Sequence, residues 1–89
     1  MNYSYPLSHE WSTDEIVNVV KFFEGIELAY EKGIKREDLM ERYRLFKGVA
    51  PSMAEEKTLF CEFEKESGYA AYPAMKKAKA AKEATIIRL

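Results

Sequence analysis

Hydrophobic residues recur at intervals of three and four along most of this chain, which is the spacing of one face of an α-helix. The first series follows Ser12, whose hydroxyl, together with Glu15, matches the capping box that begins a helix. A glycine, Gly33, stands where such a helix would end. The pattern predicts a helix over residues 13–32, roughly 30 Å long. Its core-facing residues are Ile16, Val19, Val20, Phe23, Ile26 and Tyr30.

Two more helices follow from the same kind of pattern. The second is predicted over residues 36–47, with Gly48 at its end. The third is predicted over residues 53–67, because Ser52 can cap its first amides and Gly68 can end it. The residues expected to face inward from the third helix are Met53, Leu59, Phe60 and Phe63.

A fourth helix is predicted over residues 73–84, with Pro73 at its first position, where a missing N–H costs no hydrogen bond. An extended arm over residues 2–10 precedes the first helix, and a short apolar tail ends the chain at Leu89. The predicted fold is therefore all-α, a compact four-helix single domain over residues 1–89.

Composition agrees with one globular domain and adds a charge asymmetry. The 89 residues are 47% hydrophobic and 33% charged, with a formal net charge of −1. Residues 1–75 carry nine Lys and Arg against fourteen Asp and Glu, whereas residues 76–89 carry five against one. The balance of the whole chain excludes a bulk electrostatic attraction to nucleic acid or anionic lipid.

The one cysteine, Cys61, cannot form a disulfide within the chain, which suits a reducing compartment. No basic stretch followed by an apolar run marks an export signal at the N-terminus. No apolar stretch reaches the roughly 18 residues that a membrane span needs. We therefore expect a cytoplasmic protein without a membrane anchor.

The basic end of the chain offers one candidate site. Lys76, Lys77, Lys79 and Lys82 could contact phosphates, but the patch contains no arginine or aromatic residue for base recognition, so such binding would be nonspecific. A solvated face of helix-forming residues is the simpler interpretation. Sequence-specific DNA binding by the second and third helices is disfavoured, since the third carries five glutamates.

Residues for catalysis are scarce. The chain has one histidine, His9, and one cysteine, Cys61, which could meet only if the arm folded over the third helix. No glycine-rich phosphate loop and no metal-ligand spacing is present. We expect no enzyme activity and no catalytic, cofactor-binding or metal-binding residues.

The chain has more candidate residues for an interaction surface than for catalysis. Val17 and Leu28 project opposite the main apolar face of the first helix, near Gly25, the one glycine that no helix end requires. Either the protein's own arm or tail covers this strip, or a partner does. Tyrosine serves equally at a core edge and at an interface, so three tyrosines join the candidate interaction surface. They are Tyr3, Tyr5 and Tyr72.

The chain also resembles a known family. The residues that carry the resemblance are Ser4-Tyr5-Pro6, Trp11-Ser12-Thr13, Ala29-Tyr30-Glu31-Lys32-Gly33, Ala54-Glu55-Glu56-Lys57, Glu66-Ser67-Gly68-Tyr69 and Lys76-Lys77-Ala78-Lys79. They are similar to a family of short, uncharacterised proteins of Bacillus-like Gram-positive bacteria. The resemblance implies a cytoplasmic, compact, all-helical protein of a group without an assigned activity, and it supplies no site residues.

The sequence supports two hypotheses for the function of the protein. The leading hypothesis is a non-enzymatic module that binds a protein, itself or another, through the tyrosines and the strip from Val17 to Leu28. The alternative is a nonspecific nucleic-acid or ribosome-associated accessory protein that uses the basic fourth helix.

Overall fold

This computed structural model describes Tyr5 and residues 7–89. They contain four helices and one short pair of strands. In chain order they are α1 (Thr13–Glu31), β1 (Ile34–Lys35), α2 (Arg36–Val49), α3 (Met53–Ser67), α4 (Ala71–Ala80) and β2 (Ile86–Ile87). The all-α prediction is confirmed.

Most of the helix ends lie where side-chain chemistry places them. The Glu15 amide donates to Ser12 Oγ at 3.2 Å, and the Ser12 amide donates to Glu15 Oε1 at 2.8 Å, which completes the capping box of α1. Gly33 and Gly68 follow α1 and α3 with φ of 96° and 81°, left-handed values that glycine adopts without strain. These local predictions are confirmed.

The predicted end of the second helix is wrong. Gly48 lies inside α2, which continues to Val49, and a methyl group added there would touch nothing within 4 Å. The helix ends at Val49, and Ala50 has left the helical conformation because the ring of Pro51 disfavours helical backbone in the residue that precedes it. Gly48, which was expected to stop the helix ahead of Pro51, lies instead in its last turn.

The predicted bounds of the fourth helix are also wrong at both ends. The helix begins at Ala71, so Pro73 is its third residue, still within the first turn where backbone amides have no helical partner. It ends at Ala80 rather than at residue 84. Beyond it, Ala84 has a left-handed φ of 65°, and its amide donates to both carboxylate oxygens of Glu37, at 3.0 and 3.2 Å.

The core is a cluster of stacked phenylalanine rings around α1. Phe22 lies against Phe46 of α2 with ring centroids 4.6 Å apart, and Phe23 lies against Phe63 of α3 at 4.3 Å. All four side chains are fully buried. Neighbouring residues of α1 thus face different helices, so the buried arc of α1 is wider than a single apolar face.

Helix α2 crosses α1 at Gly25. A methyl group added at Gly25 would lie 2.9 Å from Cδ of Arg42 and 3.3 Å from Cδ1 of Leu39. Arg42 continues across α1 and donates from Nη1 to the Lys21 carbonyl at 2.7 Å. A larger residue at Gly25 would therefore force Arg42 to shift, so glycine suits the close approach of α2.

The C-terminal segment (residues 84–89) returns to the start of α2. Strands β1 and β2 pair in antiparallel fashion, with Ile34 opposite Ile87 and Lys35 opposite Ile86. Ile87 is fully buried, whereas Ile86 is 50% exposed and Leu89 is 41% exposed. The apolar tail predicted from the sequence thus includes a strand that joins the core through one of its residues.

Candidate interaction groove between α3 and α4

An apolar groove lies where α3 and α4 run beside each other. It consists of two adjoining hollows of about 380 and 360 Å³ that share four lining residues. The shared residues are Met53, Glu56, Phe60 and Tyr72. We call the two hollows together the α3–α4 groove.

The rims of the groove carry the two most exposed large hydrophobic side chains among the described residues. Met53 is 61% exposed and Tyr72 is 67% exposed. Phe60 is half-buried beneath them, and Met75 of α4 is buried in the wall. Large apolar side chains that are exposed together over a hollow are typical of a contact site for another molecule.

The interior of the groove contains a polar network that ties α2 to α3. The Tyr43 hydroxyl donates to Glu56 Oε1 at 2.7 Å, and the Lys47 ammonium lies 3.0 Å from the same oxygen. Burial and the neighbouring Glu56 carboxylate raise the pKa of Tyr43 to about 12. The Glu56 carboxylate is buried and already paired, so it has little capacity to bind a visiting group.

Among the described residues that line the groove, the exposed charges are mainly positive. Lys57, Lys76 and Lys79 line it and are exposed, against one exposed carboxylate, Glu64. The Lys79 ammonium lies 4.9 Å from the centroid of the Tyr43 ring, a cation–π contact. The groove thus combines an apolar lining with a basic rim.

The predicted strip on α1 is largely internal. Gly25 is buried beneath α2, and Leu28 packs against the core. Val17, at 42% exposure, is the one surface residue of the three. The strip was expected to be covered by the arm, the tail or a partner, but α2 covers Gly25.

Two of the three tyrosines of the predicted surface, Tyr5 and Tyr72, lie among the described residues, in different surroundings. Tyr5 is half-buried: its ring stacks near Phe23, and its hydroxyl donates to Glu27 Oε1 at 2.9 Å. Tyr72 lies on the rim of the α3–α4 groove, and Tyr3 falls outside the described residues. Tyr72 is thus the predicted contact residue that the groove includes.

The four lysines of the predicted phosphate patch separate into different settings. Lys76 and Lys79 line the groove, Lys77 donates to the Arg88 carbonyl at 2.6 Å, and Lys82 lies beyond α4. The four-lysine patch itself contains no aromatic residue, but Tyr72 shares the groove with Lys76 and Lys79. Tyr72 lies one helical turn before Lys76, a spacing that could have revealed the association.

Sequence reasoning missed the contribution of α3. Met53 was expected to face the core, yet it is the most exposed residue of the α3 apolar set. At 100° per residue, Met53 and Phe60 project about 20° apart, whereas Leu59 and Phe63 occupy a second direction. Helix α3 therefore has two apolar faces, and its second face forms a wall of the groove.

The groove includes Cys61 but not His9. Cys61 is an exposed free thiol in the lining, and His9 is exposed and does not line the groove. Within Tyr5 and residues 7–89, no three His, Cys, Asp or Glu side chains are grouped so that they could hold a metal ion. In the same part of the chain, no helix has both the length and the apolar character to cross a membrane.

The structure is that of a small helical protein with an apolar groove at its surface. The chain belongs to UPF0223, an uncharacterised protein family whose model matches residues 2–87. It is 62% identical over 89 residues to a UPF0223 protein of Lysinibacillus sphaericus (strain C3-41), a match that covers all of this chain and 94% of the relative. The family resemblance seen in the sequence is confirmed.

Two further relatives come from Bacillus species. A UPF0223 protein of Bacillus pumilus (strain SAFR-032) is 49% identical over the full length of both chains. The UPF0223 protein YktA of Bacillus subtilis (strain 168) is 48% identical over 86 residues, which are 97% of this chain and 98% of YktA. The family description assigns no activity.

Proposed function

We propose that the protein is a non-enzymatic interaction module that binds a segment of another protein in the α3–α4 groove. The observation that carries the proposal is the exposure of Met53 and Tyr72 on the rims of a hollow lined by Phe60. Burying such side chains against a partner removes apolar surface from water and favours association. Groove binding of this kind commonly uses an amphipathic helix.

The proposal places the protein in the cytoplasm. Cys61 is a free thiol on the surface, and exposed free thiols persist in a reducing compartment. No cofactor is part of the proposed activity, in which the burial of apolar side chains favours binding.

A displayed library of random peptides, each about three to five helical turns long, tests the proposal on the intact protein. Selected peptides are titrated into labelled protein, and the shifted amide resonances are mapped by NMR. We expect shifts along α3 and α4, and loss of binding in the variants Met53→Ser and Tyr72→Ser. Val17→Ser is the matched control, because Val17 is an exposed apolar residue outside the groove.

Two results would overturn the proposal. One is a selection that yields no peptide whose binding depends on Met53 or Tyr72. The other is self-association through the same face, seen by sedimentation as a dimer that Tyr72→Ser dissociates, because a second copy would then occupy the groove.

A further inference from the structure

We infer that the segment bound in the α3–α4 groove is an acidic amphipathic helix, whose apolar side chains enter the groove and whose carboxylates meet Lys76 and Lys79. This inference rests on the proposed function and adds the chemistry of the partner. Three features of the groove support it.

The first feature is the net charge of the groove. Lys57, Lys76 and Lys79 are exposed there, and Glu64 is the exposed carboxylate. Glu56 does not offset the lysines, since it is buried and paired with Lys47 and Tyr43. A carboxylate that approaches Lys76 and Lys79 on the α4 side of the groove is therefore attracted, whereas the excess of acidic residues over residues 1–75 repels it elsewhere.

The second feature is the spacing of the lysines. Lys76 and Lys79 are three residues apart on one helix, which separates them by about 4.5 Å along the axis of α4. Carboxylates three or four residues apart on a neighbouring helix have a matching separation. A helix lying along the groove could thus pair with both lysines at once.

The third feature is that both lysines are available. Within Tyr5 and residues 7–89, neither Lys76 nor Lys79 forms an ion pair. The contact of Lys79 is with the face of the Tyr43 ring, which leaves its ammonium free to hydrogen-bond elsewhere. An arriving carboxylate therefore breaks no ion pair of these lysines.

The same face fits single-stranded RNA less well. Nonspecific binding of single strands uses several aromatic rings along a cationic track, and the exposed aromatic ring on this rim is Tyr72. Its other exposed apolar side chain is Met53, which offers no ring for a base to stack on.

The test uses the peptides selected against the intact protein. We expect groove-binding peptides to carry at least two carboxylates, and replacement of these by amides to weaken binding by about tenfold. Lys76→Gln/Lys79→Gln should give a similar loss with the acidic peptide and no further loss with its amide version. Lys65→Gln/Lys82→Gln removes the same charge outside the groove and should change affinity less than about twofold.

The possible failures are distinguishable. Groove binders that are neutral or basic, and that still require Tyr72, would overturn the acidic partner but leave the interaction module standing. Absence of any groove binder would remove both proposals. Binding of a short oligouridine at low salt, with resonance shifts confined to the groove and lost in Tyr72→Ser, would replace the acidic helix with a nucleic acid.

Discussion

Gly25 and Gly48 both lie inside helices, but their surroundings are opposite. Gly25 is buried where Arg42 and Leu39 of α2 cross it, whereas Gly48 is exposed with open space around it. The sequence singled out Gly25 as the glycine that no helix end explains. It could not show whether the neighbour was a partner or another part of the same chain.

These surroundings predict opposite effects of alanine. Gly48→Ala should stabilise the protein by about 0.5–1 kcal/mol, because alanine favours the helix and nothing obstructs its methyl group. Gly25→Ala has the same favourable helix propensity, but its methyl group crowds the contact between α1 and α2, which costs about 1–3 kcal/mol. We therefore expect the free energy of unfolding to fall by about 1 kcal/mol. Urea denaturation of both variants measures the difference. Equal stabilisation by the two substitutions would contradict the role of Gly25.

Tyr43 connects the groove to the interior through Glu56. Glu56 is 6% exposed; its Oε1 accepts a hydrogen bond from the Tyr43 hydroxyl and forms an ion pair with the Lys47 ammonium. If a buried carboxylate loses a hydrogen-bond partner, the free-energy cost of removing it from water remains without the bond that compensated for it. No local pattern predicts this network, because its members lie on two helices whose mutual packing decides the contacts.

Tyr43→Phe should lower the free energy of unfolding by about 1.5–3 kcal/mol at neutral pH, since a hydrogen bond to a charged group is lost. The pKa of Tyr43 rises on folding from 10.0 to about 12. Its contribution is therefore fully present below pH 10 and is lost as the pH rises toward 12. The stability of the wild type should fall more steeply than that of Tyr43→Phe over this interval.

Denaturation at a series of pH values checks this expectation, with Tyr72→Phe as the matched control. Tyr72 is 67% exposed, so the loss of its hydroxyl should leave stability almost unchanged at neutral pH. Parallel stability curves for the wild type and Tyr43→Phe above pH 10 would show that Tyr43 does not titrate as its surroundings imply.

At the scale of elements, capping chemistry is predictable and crossing geometry is not. Ser12 and Glu15 fix the start of α1 by hydrogen bonds within four residues, which a sequence displays directly. The start of α4 at Ala71 has no side-chain cap, and the Tyr30 hydroxyl of α1 donates to the carbonyl of the preceding Ala70 at 2.8 Å. Such a contact from α1 is invisible to a local pattern.

Strand β2 illustrates the same limit. The apolar character of the tail is evident in the sequence, but its pairing with β1 needs a partner far along the chain. Once paired, Ile87 points into the core and Ile86 points outward, the alternation that a strand imposes. The prediction of an apolar tail does not say which of its side chains is buried.

Substitution of these two isoleucines tests the importance of the strand. Ile87→Ala should reduce the free energy of unfolding by about 2–5 kcal/mol, because the side chain is fully buried. Ile86→Ala should cost less than about 1 kcal/mol, since half of the side chain is already exposed. Chemical denaturation compares the two, and similar losses would mean that the strand does not direct Ile87 into the core.

At the scale of the whole molecule, the residues that form the core and those proposed to bind a partner are different sets. The core centres on rings such as Phe23 and Phe46, which are fully buried. Met53 and Tyr72 lie outside it on the rims of the groove. Composition and periodicity predict the core residues because their burial follows the helical repeat. The residues on the rims of the groove depend on how α3 and α4 pack.

This separation predicts that binding can be removed without loss of fold. The double variant Met53→Ser/Tyr72→Ser should keep its free energy of unfolding within about 0.5 kcal/mol of the wild type, because both side chains are mostly exposed. Thermal and urea denaturation measure this directly. A loss of several kcal/mol would place the two side chains in the structural core and weaken their use as binding probes.

The pairing of β2 with β1 also has a consequence for folding kinetics. The helices form from contacts between near neighbours, but Arg88 donates from Nη2 to the Lys32 carbonyl, 56 positions away, and Ala84 donates to Glu37 across 47. Closing so long a loop costs conformational entropy before any contact compensates for it. We therefore expect the C-terminal segment to dock last, so that this helical protein folds more slowly than its helices alone would allow.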